Sequence, residues 1–167
     1  VSLLLGINLP TNFLSPYQAS SLTDFWKGWH ITLSNFLRDY IYIPLGGNRK
    51  GLTLQSRNLI FTMLIGGLWH GASWTFVIWG GIHGLGLTLL RLKKEFLGNF
   101  LRLPKFISIF LTFNFVSFAW IFFRAKTITR SFEIIKQLLG FDMSGFGQFC
   151  SENSFPLMLI LFFLLTH

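Results

Sequence analysis

The residues of this chain best suited to chemistry are its histidines. His70 stands in Gly-Leu-Trp-His-Gly, separated from Arg57 by twelve uncharged residues. An imidazole, with an unperturbed pKa of about 6.5, takes and returns a proton near neutral pH. A neutral ring in apolar surroundings is what a general base requires. The same position also suits a histidine that bonds a backbone carbonyl and packs helices, and local sequence leaves both readings open. His83, in Gly-Gly-Ile-His-Gly, follows 13 residues later. On one continuous helix that is about 20 Å, so the two rings share a site only if the segment folds back; helix packing is the reading His83 favours. His30 follows Trp29 on an amphipathic stretch, where an interfacial histidine is expected.

Other candidates are polar. Arg38 and Asp39 are adjacent, do not face each other on a helix, and are expected to pair elsewhere. They suit solvated or headgroup-facing charges, or an anchor for an anionic donor. The basic turn Gly46-Gly47-Asn48-Arg49-Lys50-Gly51 offers backbone N–H groups and two cations to a phosphate, but matches neither a P-loop nor a dinucleotide fingerprint. No carboxylate pair lies in an apolar run, which argues against glycosidase chemistry, and no Gly-x-Ser-x-Gly supports a hydrolase nucleophile. Cys150 is the only cysteine, which excludes an intrachain disulfide or a thiolate zinc cluster. No metal site is expected.

The elements that position these residues follow from composition. Of 167 residues, 51% are hydrophobic, 21 are Phe and only 12% are charged, about half the usual charged share. Mean hydropathy is +0.55. So few charges cannot cover so much apolar surface in water. The composition excludes a disordered chain, a coiled coil and most soluble folds, and predicts an all-α, multispanning membrane protein. The net charge of +8 sits between apolar runs, where it meets lipid headgroups rather than nucleic acid.

Residues 106–123 hold no charge over 18 positions, about 27 Å of helix, and read as a transmembrane span. Residues 155–167 read as the start of another. Residues 58–90 contain no Asp, Glu, Lys or Arg but seven glycines. They are too long for one upright span and too short for two, which predicts two short, glycine-broken helices lining an interior cavity; one long tilted helix is the alternative. Gly67/Gly71 and Gly80/Gly84 have the four-residue spacing that permits close helix contact. Over 21–43, Ser21 and Asp24 form a capping box, and Leu22, Trp26, Trp29, Leu33, Phe36, Leu37 and Tyr40 recur at steps of three and four. This predicts one amphipathic helix, at the interface or packed among others. Every polar segment is basic, so charge gives no orientation. The chain opens and stops inside apolar stretches and reads as a fragment, residues 1–167 forming part of a single larger membrane domain.

In order, the chain carries Leu22-Thr23-Asp24-Phe25-Trp26-Lys27-Gly28-Trp29-His30, then Arg38-Asp39-Tyr40, Pro44-Leu45-Gly46-Gly47-Asn48-Arg49, Gly67-Leu68-Trp69-His70-Gly71 and Trp79-Gly80-Gly81-Ile82-His83-Gly84. It resembles the membrane-bound O-acyltransferases, specifically the alginate O-acetyltransferase-like branch. The D-alanyl transferases of teichoic acid synthesis share much of the pattern. The match is close over residues 8–90 and looser beyond. The resemblance implies a multispanning fold around a central tunnel in the bacterial inner membrane, with an acyl group passed from a cytosolic thioester, acetyl-CoA, to a hydroxyl acceptor. The acceptor class is a cell-surface polysaccharide, with a separate extracytoplasmic acetyltransferase as partner protein and membrane lipid as surroundings. No bound cofactor and no nucleic acid are implied. It makes His70 the active-site histidine and places His30 at the second position, occupied by His or Asn in relatives. His83 belongs to the motif environment. Trp69, Arg38, Asp39, Asn48 and Arg49 are candidates for positioning substrate or donor. D-alanyl or peptidoglycan O-acyl transfer is the alternative within the family. From other classes, intramembrane histidines also suit a b-type haem, and broken helices a transporter.

Overall fold

The computed structural model describes residues 6, 9–49, 51–98 and 103–140. These form helices and turns, with no strand among the described residues. The chain divides into two compact units, Val1–Ile128 and Thr129–His167. The transmembrane segment expected over 155–167 lies outside the described residues.

Helix α1 (Leu22–Gly28) begins at a reciprocal cap. The Asp24 N–H donates to Ser21 Oγ at 3.1 Å, and the Ser21 hydroxyl donates to Asp24 Oδ2 at 2.7 Å. The Ser21 bond, reinforced by Lys27 at 3.1 Å, holds the Asp24 carboxyl below the usual carboxylate range. The single amphipathic helix expected over 21–43 is in fact divided. α1 ends at Gly28, and α2 (Ile31–Leu37) starts beyond a break at Trp29 and His30. His30 has φ 44° and ψ 56°, a left-handed conformation that costs a non-glycine residue about 1–2 kcal/mol. Asn12 holds the break. Its carbonyl accepts from the Ile31 N–H at 3.0 Å, and its side-chain oxygen accepts from the Thr32 N–H at 3.0 Å and hydroxyl at 2.7 Å. The Leu14 N–H donates to Gly28 O at 2.9 Å, tying the same strap to the end of α1. The break is invisible to periodicity because both halves bury one apolar face, Leu22 and Phe25 on α1, Leu33 and Leu37 on α2.

A π-helical turn, Arg38–Tyr42, follows α2 and leads into the turn at residues 43–49. That turn is anchored by Asn58, which is fully buried. Asn58 donates to Leu45 O at 3.1 Å and Gly47 O at 3.2 Å. Its side-chain oxygen accepts from Arg57 at 3.1 and 3.3 Å.

Helices α3 (Leu52–His70) and α4 (Trp74–Leu97) form an antiparallel hairpin broken at Gly71-Ala72-Ser73. They are not the short helices expected over 58–90. Each runs past the uncharged segment, α3 taking in Arg57 and α4 Arg91. Polar partners make this possible: Arg57 reaches Asn58, and Arg91 donates to Gln55 at 2.9 Å. Gly71 has φ 155° and ψ 159°, a region open essentially to glycine, and an added Cβ would lie 2.9 Å from the Phe76 ring. Ser73 then caps α4 by accepting from the Thr75 N–H at 3.3 Å. The helix contact uses Gly67 and Gly80. A Cβ on Gly67 would collide with the Phe76 carbonyl, and one on Gly80 with that of Met63. Gly71 leaves the helix, so only part of the expected small-residue pattern lies in the contact.

The uncharged run 106–123 lies within α5 (Lys105–Arg124). Among the described helices, α4 and α5 are long and apolar enough to cross a membrane. Burial is arranged accordingly. Asn58, Thr62, Thr75, His83 and Thr88 are buried, while Leu85, Leu89, Phe106, Phe110 and Phe113 face outward. Polar groups inside and phenylalanines outside suit a surrounding of lipid or further helices. Helix α6 (Ile128–Leu139), which from Thr129 onward belongs to the second unit, is amphipathic and carries an Arg130–Glu133 ion pair at 2.8 Å.

Candidate active site

Two backbone breaks bring the histidines together. His70 is the last residue of α3, held at the Gly71 turn. His30 precedes α2, held in its left-handed conformation by the Asn12 strap. Trp69 contacts both, its ring 5.9 Å from His30 and 4.9 Å from His70, edge-on to each. Trp69 is exposed and both imidazoles are partly buried. His30 Nδ1 is buried with no hydrogen-bond partner among the described residues.

The hairpin also returns His83 toward His70. The indole of Trp79 contacts the two, with centroids 5.3 Å from His70 and 4.9 Å from His83. The long separation along one helix is removed by the turn at Gly71–Ser73. His83 is fully enclosed by Phe25, Trp26, Trp79 and Phe115. Its Nδ1 accepts from the Trp26 indole N–H at 3.3 Å. Accepting needs a lone pair on Nδ1, so the neutral ring carries its proton on Nε2. Nε2 and Trp79 Nε1 are both buried without a partner among the described residues. Each such donor costs about 1–3 kcal/mol unless an acceptor arrives. Trp79 packs against both His70 and His83.

The remaining candidates lie away from this cluster. Arg38 and Asp39 pair with each other, Nε to Oδ1 at 2.8 Å, contrary to the expectation that neighbours do not meet. Both are exposed, and the arginine stem is long enough to curl back onto the adjacent carboxylate. That bond raises the Arg38 guanidinium and lowers the Asp39 carboxyl relative to their ordinary pKa values. Asn48 and Arg49 are exposed on the turn. The N–H groups of Leu45, Gly46, Gly47 and Arg49 donate to carbonyls within residues 41–46, which leaves none of those four free to cradle a phosphate. A cavity of about 250 Å³ is lined by Trp26, Lys27, Arg38 and Tyr42 together with residues of α2, α3 and α4. Trp26 therefore separates this cavity from His83.

A family model described as MBOAT, the membrane-bound O-acyltransferase family, matches residues 1–129. The chain belongs to this family. Among its relatives, a peptidoglycan O-acetyltransferase of Helicobacter pylori is 48% identical over 143 residues, covering 85% of this chain and 27% of the relative. A probable alginate O-acetylase of Pseudomonas aeruginosa is 43% identical, covering 84% and 27%. A teichoic acid D-alanyltransferase of Streptococcus thermophilus is 32% identical, covering 74% and 35%. The chain thus spans about a quarter to a third of the curated relatives it matches.

Sequence reasoning missed Trp79, Trp26 and Asn12. Trp79 lies four residues before His83 and so on the same helical face, a signal that was available. Trp26 and His83 are 57 residues apart, and Asn12 precedes Thr32 by 20. Neither separation carries a local signature.

Proposed function

We propose that the full-length protein is an O-acetyltransferase of the bacterial inner membrane, multi-pass and built around a central tunnel. It moves an acetyl group from a cytosolic thioester, acetyl-CoA, toward hydroxyls of a cell-surface polysaccharide. The observation that carries this is that His30 and His70, each at a helix break, both pack against the Trp69 ring. His70 serves as general base toward the acceptor hydroxyl, and His30 orients the reacting groups. The cavity beside Trp26, with Lys27 and Arg38 at its wall, suits the anionic part of the donor. Enclosure within the membrane protects the thioester from water. An extracytoplasmic acetyltransferase completes delivery to the polymer.

The alginate-like relatives support a polysaccharide acceptor, and the 48% identity to a peptidoglycan O-acetyltransferase supports peptidoglycan as the second reading. One experiment tests both. The gene is deleted in its host and replaced with full-length wild type or His70→Ala. Ester-linked acetate is then measured on isolated polysaccharide and on peptidoglycan, with membrane levels of both proteins checked. Wild type is expected to restore acetate on one polymer and His70→Ala to leave it absent at normal protein level. Restoration by His70→Ala removes His70 from the chemistry, and no acetate change with wild type removes the acetyl reading.

A further inference from the structure

We propose that the indole N–H of Trp79 donates a hydrogen bond to the acyl carbonyl oxygen as the acyl group is transferred, which makes Trp79 a catalytic residue. This rests on the acyl-transfer reading and assigns it a residue that the motif comparison alone leaves without a role.

Trp79 is 3% exposed, yet its Nε1 finds no acceptor among the described residues. A buried indole ordinarily has a partner. A substrate oxygen is an acceptor that would satisfy the group. The indole stands perpendicular to the His70 ring with centroids 5.3 Å apart, in direct contact with the general base. It is also held rigidly. Phe123, Trp26 and His83 pack on it at 5.2, 5.9 and 4.9 Å, and the adjacent Gly80 seats α4 against the Met63 backbone. A rigid donor in a water-poor site stabilises developing charge with little reorganisation. The indole N–H can donate and cannot accept, which suits an oxygen that gains negative charge. His83 Nε2 is likewise unpartnered, but the His83 ring is fully buried and packs against Trp79.

The step balances. The acceptor hydroxyl oxygen attacks the acyl carbon and its proton passes to His70. The carbonyl π pair moves onto the oxygen facing Trp79. That pair returns, the carbon–sulfur bond breaks, and the thiolate takes the proton from His70, leaving an ester and a free thiol.

The test uses membranes of the native host carrying the full-length chain together with its extracytoplasmic acetyltransferase partner, acetyl-CoA as donor, and the envelope polymer that wild type acetylates. Free thiol is followed as the rate. Trp79→Phe is expected to lower kcat about 100- to 1000-fold with the donor KM changed by less than about threefold. Because Trp79→Phe also leaves a void, a second variant carries 3-benzothienylalanine at position 79, which keeps the bicyclic shape and replaces N–H with sulfur. The same loss of kcat at normal membrane level supports the assignment. Wild-type kcat with benzothienylalanine overturns it and reduces Trp79 to packing. If wild type itself releases no thiol while the cell still acetylates the polymer, the acyl-transfer reading falls and the Trp79 assignment with it.

Discussion

The indole N–H of Trp26 donates to Nδ1 of His83 at 3.3 Å, joining α1 to the middle of α4 across 57 residues. This bond fixes the tautomer of a fully buried ring and fastens the amphipathic segment onto the hairpin. Removing one partner leaves the other desolvated and unpaired. Trp26→Phe and His83→Leu are each expected to lower the thermal unfolding midpoint of the full-length protein in detergent. In a double-mutant cycle they should couple by about 1 kcal/mol. Additive effects would mean that the bond contributes nothing to holding α1.

The α3–α4 contact rests on particular glycines rather than on glycine content. Gly67→Ala would drive a methyl into the Phe76 carbonyl, whereas a Cβ on Gly81 meets only Leu64 Cδ2 at 3.7 Å. Gly67→Ala is expected to destabilise the protein by more than about 2 kcal/mol and to lower its membrane level. Gly81→Ala should be neutral or stabilising by about 0.5 kcal/mol, since alanine is the better helix former. Equal midpoints for the two variants would show that the helices separate freely at Gly67.

His30 combines a strained backbone with a candidate role, and the two can be separated. His30→Gly removes the left-handed penalty and the imidazole together. It is expected to leave stability unchanged or raised by up to about 1 kcal/mol, while polymer acetylation falls at least about tenfold. Asparagine tolerates the same backbone, so His30→Asn should keep the fold and retain more transfer than His30→Gly. Full transfer by His30→Gly would leave His30 only its place in the chain turn.

Much of this was legible in the sequence. The cap at Ser21 and Asp24, the uncharged run inside α5 and the glycine-marked interruption near His70 are local patterns. Propensity, charge spacing and backbone freedom act there over a few residues, so a sequence reader meets them directly. The break at His30 was not legible. Its cause is Asn12, whose bonds to Ile31 and Thr32 reach over a loop, while the apolar spacing runs through the break without interruption. Helix lengths were misjudged at Arg57 and Arg91 because their partners Asn58 and Gln55 make those charges compatible with continuing the helix.

By itself the sequence determined an all-helical, membrane-suited chain with a histidine placed beside a forced break. Composition and periodicity are sums over the chain and need no partners. Only the tertiary structure decided which rings meet. Gly71 turns the chain back, Gly67 and Gly80 let α4 approach to backbone contact, and Trp79 therefore comes to pack against both His70 and His83. Trp26 and His83 find each other for the same reason: contact between residues 57 positions apart is set by how helices pack, and no local property of either residue encodes it.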